Sequence, residues 1–274
     1  MKLDFLLICK NNEEYFRIIF PKLIEKLKIF EPRFFIYENN SIDNTKLILK
    51  YLSKKYNNIF IKSENLNSSN LNRFLNICIA RNKLLDFYKE INLKYNNDNE
   101  WVILLDTNII FDHCTITELL NKTKYNGVMY CSNTLYFDFM NNKPKYYYDL
   151  LALNYGEYFR VKDSNNFLIE NYLPIHQNEQ NLFKIDTGFG GLVLIKKDIL
   201  LKYYWHLIKP DEVLNKNISK NVICEHWYLC KNIKKLGNIY IVKNSKAIWY
   251  MDKYMVNNDN RIEFYNYLKK IKFF

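Results

Sequence analysis

The chain has 274 residues, of which 49% are hydrophobic and 17% aromatic, enough apolar material for the core of a large α/β domain. Its net charge of +11 is uneven, because acidic groups outnumber basic ones in residues 101–200, and this argues against one continuous nucleic-acid-binding face. No apolar run reaches the roughly 18 residues that span a bilayer, so we expect a soluble, cytoplasmic protein without a transmembrane segment.

The six cysteines form no CxxC pair and lie mostly in apolar runs, which predicts free, buried thiols in a reducing compartment rather than a zinc cluster. Lysine, asparagine, isoleucine and tyrosine are abundant, a bias typical of an AT-rich microbe or a giant virus. A viral origin would place the protein in the host cytoplasm or the virion. The basic, aromatic segment 265–274 predicts a terminal helix, with weak contact to a membrane surface as the alternative.

The first part of the chain alternates apolar strands with amphipathic helices. We predict strands at 3–9, 34–37, 59–62 and 101–106, and helices at 13–28, 46–56 and 69–95. This order predicts an α/β fold with a mostly parallel central sheet and helices on both faces. Ligands of such sheets bind beyond the carboxyl ends of the strands.

The second part is less regular. We predict a strand at 127–137, a tyrosine- and asparagine-rich excursion at 141–184, a loop, strand and helix start within 183–200, a helix at 224–237 and a strand near 240–243. The tyrosines of the excursion could supply a surface on which a sugar stacks, a lid or part of the core.

Asp106 closes the most apolar strand, and Asn108 lies two residues further on in the sequence LLDTN. Alternate residues of an extended segment point the same way, so both oxygens can face one divalent metal ion. Mg²⁺ and Mn²⁺ favour such oxygen ligands and leave positions open for phosphate oxygens. The alternative is a strand-end aspartate that caps the next helix.

Polar residues also follow the first two strands. Asn11 comes after the strand at 3–9, and Glu38, Asn40 and Asp43 lie in YENNSIDNT after the second strand. A loop of this composition forms side chain to backbone hydrogen bonds and can bind a nucleobase and ribose. The alternative is a turn that caps the next helix, which would explain Asp43 but not Glu38.

Two predicted helices carry charged groups. Arg81 can bind a diphosphate with its planar guanidinium, or it is a surface arginine of an amphipathic helix. Glu225 begins the helix at 224–237 and can deprotonate an acceptor hydroxyl, while the adjacent His226 can bind a metal ion. The alternatives are a carboxylate favoured by the helix dipole and a half-buried core histidine.

Half of the six glycines lie within four residues, as Gly188, Gly190 and Gly191, close after Asp186. Scarce glycine concentrated in one place indicates either a close approach of the backbone to a ligand or a strained turn. The GK[ST] pattern of a phosphate-binding P-loop is absent.

Taken in order, these segments resemble family 2-type glycosyltransferases of the GT-A fold, and in particular capsule-associated mannosyltransferases and related viral and bacterial transferases. The segments are YENNSIDNT (37–45), ARN (80–82), LLDTN (104–108), TGFGG (187–191) and CEHWYLC (224–230). The resemblance covers most of residues 3–250. It implies a single GT-A domain over residues 1–274, with a nucleotide-binding half at 1–112 and an acceptor-binding half at 113–274.

The resemblance implies transfer of a sugar from a UDP- or GDP-linked donor to a hydroxyl of a glycan or glycoprotein, assisted by Mn²⁺ or Mg²⁺. It implies nucleotide contacts from Asn11, Glu38, Asn40, Asp43, Arg81 and Asp106. It implies metal ligands at Asp106, Asn108 and His226, and an acceptor side formed by Asp186 and Glu225. The motif departs from Asp-x-Asp because Asn108 offers a neutral oxygen, and a retaining enzyme would need no base at Glu225.

Three rival functions remain. A sugar nucleotidyltransferase would use a similar sheet and metal, but it usually carries a glycine-rich loop where this chain has CKNNEEYF (9–16). A nucleic-acid-binding module is compatible with the charge of +11, although the basic residues are dispersed. A GT-A-like protein that binds glycans without catalysis is compatible with the missing second aspartate.

Overall fold

The computed structural model describes residues 2–66, 73–95, 99–147, 181–207, 224–250 and 257–273. The strands are β1 (Leu3–Cys9), β2 (Pro32–Asn39), β3 (Ile59–Glu64), β4 (Trp101–Asp106), β5 (Ile109–Ile110), β6 (Gly127–Asp138), β7 (Lys143–Tyr147), β8 (Leu182–Ile185), β9 (Leu192–Lys196) and β10 (Asn238–Trp249). The α-helices are α1 (Phe20–Lys26), α2 (Thr45–Lys55), α3 (Arg73–Tyr95), α4 (His113–Leu120), α5 (Lys197–Leu200), α6 (His226–Ile233) and α7 (Asn258–Lys270).

All ten strands of the described part belong to one sheet. Its main path runs β3-β2-β1-β4-β9-β6-β10-β5, while β7 pairs with β6 and β8 pairs with β10. Along this path β3, β2, β1, β4, β6 and β10 share one direction, and β9 and β5 run against it. The predicted mostly parallel sheet is confirmed, and its carboxyl edge gathers the loops that follow β1, β2 and β4.

Two apolar clusters cover the two faces of the sheet. Alternate residues of β1 divide between them, with Phe5 and Leu7 in one cluster and Leu6 in the other. The first cluster receives α1, α2, α4 and α7, and the second receives α3, α5 and α6. Helices therefore pack on both faces, as the near-continuous apolar strands predict.

The predicted helix at 13–28 changes its winding along its length. A π-helical turn at Tyr15–Ile19 precedes α1, and a 3₁₀ turn at Lys28–Phe30 follows it. Pro21 lies in the first turn of α1, where the missing N–H needs no partner. The helical prediction is confirmed over residues 13–26, with one π-helical turn inside the helix.

Other boundaries moved by a few residues. Strand β2 begins at Pro32 rather than 34, and α6 ends at Ile233, before Gly237. Of the excursion at 141–184, residues 148–180 lie outside the described part, and with them most of the tyrosines proposed to stack on a sugar. No helix in the described ranges is long and apolar enough to cross a membrane.

The cysteines carry no disulfide, and five of the six are buried, as predicted; Cys114 is exposed. Gly190 and Gly191 have φ angles of 66° and 69°, which other residues rarely adopt. A Cβ on Gly190 would lie 2.7 Å from the Ser132 carbonyl oxygen. These two glycines therefore serve a tight turn packed against β6.

A buried ionic group joins the neighbouring strands β1 and β2 to α3. Asp4 is completely buried, and Arg33 donates to both of its carboxylate oxygens, from Nε at 2.8 Å and from Nη2 at 2.9 Å. The hydroxyl of Tyr88 donates to Asp4 Oδ2 at 2.8 Å. This group locks β1, β2 and α3 together, and the nearby carboxylate raises the pKa of Tyr88 further above the value set by burial.

We expect Asp4→Ala to lower the free energy of unfolding by about 3–5 kcal/mol, because Arg33 would be left beside the core without its carboxylate. Urea denaturation followed by circular dichroism measures this change. The control is Glu25→Ala, which removes an exposed partner of Lys28 and should change stability by less than about 1 kcal/mol. Equal losses of unfolding free energy in the two variants would show that the buried Asp4 group stabilises the fold no more than an exposed ion pair does.

Candidate active site

Three asparagines at the carboxyl edge of the sheet have left-handed backbone conformations. Asn11 follows β1, Asn40 follows β2 and Asn108 follows β4, with φ angles of 54°, 56° and 66°. Asparagine tolerates this conformation better than most residues, and such strain is concentrated at functional sites. The three turns mark the edge where sheets of this class bind ligands.

Glu38 organises the loop after β2 from within. Its carboxylate is completely buried; Oε1 accepts from the Ser41 amide at 2.8 Å, and the Ser63 hydroxyl donates to Oε2. The ammonium of Lys46 lies 4.0 Å from Oε2. A direct contact between Glu38 and a nucleobase or ribose would require these bonds to break. The structure therefore gives Glu38 a loop-building role, and its contact with a base or ribose stays a prediction.

The other residues predicted to bind a nucleotide after β1 and β2 are also used to build loops. Asn11 Oδ1 accepts from the Ile42 amide at 2.9 Å, and Asn40 exchanges two bonds of 2.7 Å with the backbone of Leu66. Asp43 accepts from the amides of Thr45 and Glu13, so it holds the turn that leads into α2, in agreement with the alternative of a turn before the helix. These side chains fix the shape of the edge rather than project from it.

Asn12, which follows Asn11 in the polar segment after β1, connects this loop system to the end of β4. Its amide donates to Thr45 Oγ1 at 2.8 Å, and its side chain accepts from Thr107 Oγ1 at 3.1 Å. Its Nδ2 donates to Asn108 Oδ1 at 3.3 Å. The amide oxygen of Asn108 is thus turned towards Asn12, whereas Asp106 turns towards Arg81. The predicted metal ligands Asp106 and Asn108 therefore have different partners in this structure, Arg81 and Asn12, and the role of Asn108 stays a prediction.

Arg81 and Asp106 form the centre of the site. Arg81 Nη2 donates to Asp106 Oδ1 at 2.8 Å, lies 3.2 Å from His226 Nε2, and its Nε lies 3.6 Å from Glu225 Oε1. The Arg81 side chain is only 4% exposed, so the alternative of a surface arginine is wrong. Burial raises the pKa of Asp106 despite the opposing effect of Arg81.

Aromatic rings enclose the guanidinium. The Cζ of Arg81 lies 4.7 Å from the ring centre of Phe189 and 5.8 Å from that of Trp205. The ring of Phe189 stacks on His226 with centroids 3.8 Å apart. Phe189 is held between the glycines of TGFGG, so this glycine turn delivers a ring to the site. Cation–π contacts of this kind restrict the guanidinium to one plane.

His226 and Glu225 begin α6 and are both buried. Burial lowers the pKa of His226 to about 3, so the ring is neutral at physiological pH. Its Nδ1 faces the indole Nε1 of Trp205 at 3.5 Å, and its Nε2 lies 3.2 Å from Glu225 Oε1. Burial opposes ionisation of Glu225, yet the positive charge of Arg81 lowers its pKa below the usual value. Glu225 is therefore a carboxylate.

Asp186 lies apart from this group. It pairs with Lys234 just beyond the carboxyl-terminal end of α6, whereas Glu225 and His226 stand at the other end. The chain from 186 to 189 runs along α6, since Gly188 accepts from Cys230 at 3.5 Å and Phe189 reaches His226. The structure does not bring Asp186 together with Glu225. Its position supports a structural pairing with Lys234 rather than the predicted place beside the acceptor.

Sequence reasoning missed the residues that frame the site. Asn82, within ARN, donates to the Trp205 carbonyl at 2.9 Å and accepts from the Trp205 amide at 2.7 Å. A polar residue beside Arg81 and an aromatic residue between glycines were visible signals for Asn82 and Phe189. Nothing in the pattern around Trp205 indicated its contact with α3.

No protein-family model and no curated protein matches the sequence. The crystal structure of S. aureus TarS 1-349 in complex with UDP is similar, with a TM-score of 0.52 and 14% identity, over 96% of this chain and 65% of that one. The crystal structure of GalNAc-T7 with UDP, GalNAc and Mn²⁺ is similar, with a TM-score of 0.53 and 11% identity, over 91% of this chain and 43% of that one.

The chain has the GT-A fold. The fold that the sequence resemblance implied is thereby confirmed. The chain spans less than two thirds of the length of either similar structure, and at this identity the likeness extends to the architecture alone. The chemistry must be argued from the side chains themselves.

We expect Asn82→Ala to release Trp205 from α3, because both bonds between them would be lost. The free energy of unfolding should fall by about 1–3 kcal/mol, and the intrinsic fluorescence should change in the folded state. Asn57→Ala, at an exposed position, is the control and should alter neither quantity. If Asn82→Ala leaves the fluorescence unchanged, the two bonds do not hold Trp205 in solution.

Proposed function

We propose that this protein is a glycosyltransferase that moves a sugar from a UDP- or GDP-linked donor to a hydroxyl of a glycan or glycoprotein. The observation that supports this proposal most directly is that Arg81, Asp106, Glu225 and His226 meet at the carboxyl edge of a GT-A sheet. Two similar structures support the donor class, since the TarS structure contains UDP and the GalNAc-T7 structure contains UDP, GalNAc and Mn²⁺.

The donor atoms around Arg81 suit a divalent metal. Asp106 Oδ1 and His226 Nε2 both face the same guanidinium nitrogen, at 2.8 and 3.2 Å, and Glu225 Oε1 lies 3.2 Å from that imidazole nitrogen. Carboxylate oxygens with a neutral imidazole are a ligand set that Mn²⁺ accepts. We propose Asp106 and His226 as the ligands. When bound, Mn²⁺ or Mg²⁺ would neutralise charge on the leaving diphosphate.

Arg81 supplies the fixed positive charge of the site. Its guanidinium is planar, always charged and held between aromatic rings, so it can donate two parallel bonds to phosphate oxygens. Because the site is buried, each such bond is stronger than it would be in water. A diphosphate bound there would accept the hydrogen bond that Arg81 now donates to Asp106. The loops built by Glu38, Asn40 and Asp43 would frame the base and ribose.

Glu225 is the group that we propose as general base. It is ionised and lies at the start of α6, in the half of the chain assigned to the acceptor (113–274), whereas Arg81 and Asp106 belong to the nucleotide half (1–112). A carboxylate in this position can take the proton of an acceptor hydroxyl as that hydroxyl attacks the sugar. This role applies to transfer with inversion.

Thermal unfolding with UDP and GDP, each with Mn²⁺ or with EDTA, tests the donor site. One diphosphate should raise the melting temperature with Mn²⁺ and much less with EDTA, because a ligand at ~100 times its Kd stabilises the folded state by roughly 2.7 kcal/mol. In Asp106→Asn the part of the rise in melting temperature that depends on Mn²⁺ should disappear. Asp198→Asn, at an exposed aspartate of α5, should respond like the unchanged protein.

Release of the nucleotide from UDP- and GDP-linked sugars then separates catalysis from binding alone. Slow hydrolysis of one donor, abolished in Asp106→Asn, supports a transferase. Metal-dependent nucleotide binding without release of any product would instead support the inactive glycan-binding alternative. A well-folded sample that responds to no nucleotide contradicts the proposal.

We expect Glu225→Gln to lower kcat by roughly 10²–10⁴-fold while the Kd for the nucleotide changes little, because the amide cannot accept a proton. The measurement is sugar transfer to an acceptor, with nucleotide binding followed separately. Asp186→Asn should retain at least about a third of kcat, since its carboxylate pairs with Lys234. Full activity of Glu225→Gln would exclude it as the base.

A further inference from the structure

Helix α2 carries four lysines and no acidic residue. Lys50, Lys54 and Lys55 are exposed, and none of them forms an ion pair with any residue that the structure describes. The other helices of more than one turn whose full length is described either contain an acidic residue or, like α6, begin beside one. The outer face of α2 is therefore the most uniformly cationic helical surface of the described part.

Exposed apolar side chains alternate with these lysines. Leu47 is 68% exposed and Tyr51 is 62% exposed, and with Lys50 and Lys54 they follow the spacing i, i+3, i+4, i+7. Residues at this spacing form one stripe along a helix. The inner face of α2 is already packed, through Leu49 and Leu52, so the stripe is not a core face left uncovered by chance.

Ile42 is a further exposed apolar residue, in the loop between β2 and α2 at the carboxyl edge of the sheet. Its side chain is 93% exposed, although its amide is held by Asn11 Oδ1 at 2.9 Å. Asp43 and Ser41 fix the loop on either side, by bonds to Thr45 and Asn11. A rigid loop thus presents a large apolar side chain to solvent, which costs free energy unless the side chain is covered.

We infer that this surface, composed of Ile42, Leu47, Lys50, Tyr51 and Lys54 with Lys55 beside it, docks the protein on an anionic lipid bilayer. Apolar and aromatic side chains of such a helix enter the headgroup region while the lysines contact lipid phosphates and carboxylates. A nucleic acid would need the charges but would leave Ile42 and Leu47 uncovered. The inference is independent of the catalytic assignment.

Co-sedimentation with vesicles tests the surface. The protein should pellet with phosphatidylcholine vesicles that contain phosphatidylserine and not with pure phosphatidylcholine, and binding should weaken as salt rises. In K50E/K54E the affinity should fall about tenfold or more, since each lysine near the bilayer contributes about 1 kcal/mol. The matched control K231E/K235E reverses two exposed lysines, one in α6 and one just after it, and should lose less than about threefold.

A second pair of variants tests the apolar component. Ile42→Ser with Leu47→Ser should weaken vesicle binding severalfold, whereas Ile262→Ser with Leu236→Ser, at exposed positions elsewhere, should not. Circular dichroism confirms that each variant is folded. Equal losses in K50E/K54E and K231E/K235E would overturn the proposal, because attraction would then follow net charge. Failure of the unchanged protein to bind phosphatidylserine vesicles, or binding to an oligonucleotide alone, would overturn it as well.

Discussion

The structure of the site depends on how one buried guanidinium is compensated. Arg81 is almost fully enclosed, and removing its charge from water is tolerated because Asp106 lies on one side and Glu225 on the other. These groups come from α3, the end of β4 and the start of α6. Charge balance therefore requires that α6 dock against the carboxyl edge of the sheet, where it carries His226 with it. The geometry that suits catalysis is at the same time the geometry that satisfies Arg81.

The neighbouring loops are held by hydrogen bonds from side chains to backbone rather than by compensation of a buried charge. They contain almost no glycine, and their left-handed turns are made by asparagines whose side chains bond to other loops. Asn12 joins the loop after β4 to the start of α2, so the ends of three parallel strands form one hydrogen-bonded rim. The same rim holds the protruding loop of Ile42. Rigidity beside the active site and presentation of α2 to solvent thus have a common cause.

Sequence reasoning reached the fold because it rests on strong patterns, whereas Arg81 and Asp106 were chosen through the family resemblance. Apolar strands of fixed length and intervening helices define the sheet, and residues just after strands must meet at its edge; Asp106 is such a residue, and Arg81 faces it from α3. The direction in which each polar side chain faces could not be predicted from these patterns. A polar side chain in a turn can bond to backbone or to ligand, so Glu38 and Asn108 were given ligand contacts when the protein itself occupies them. The place of Asp186 depended on how residues 186–189 run along α6, which no periodicity encodes.

One consequence of the proposed function follows from the position of the guanidinium. Arg81 now faces Asp106 and His226, which are also the proposed metal ligands, so a divalent ion entering alone would meet a fixed positive charge within a few ångströms. A diphosphate brings compensating negative charge and offers Arg81 new acceptors, which frees Asp106. Metal and nucleotide should therefore bind with positive coupling, each raising the affinity of the other by the same factor. On the proposed function, Arg81 would do more than bind phosphate, because it would make occupation of the metal site conditional on the presence of the donor.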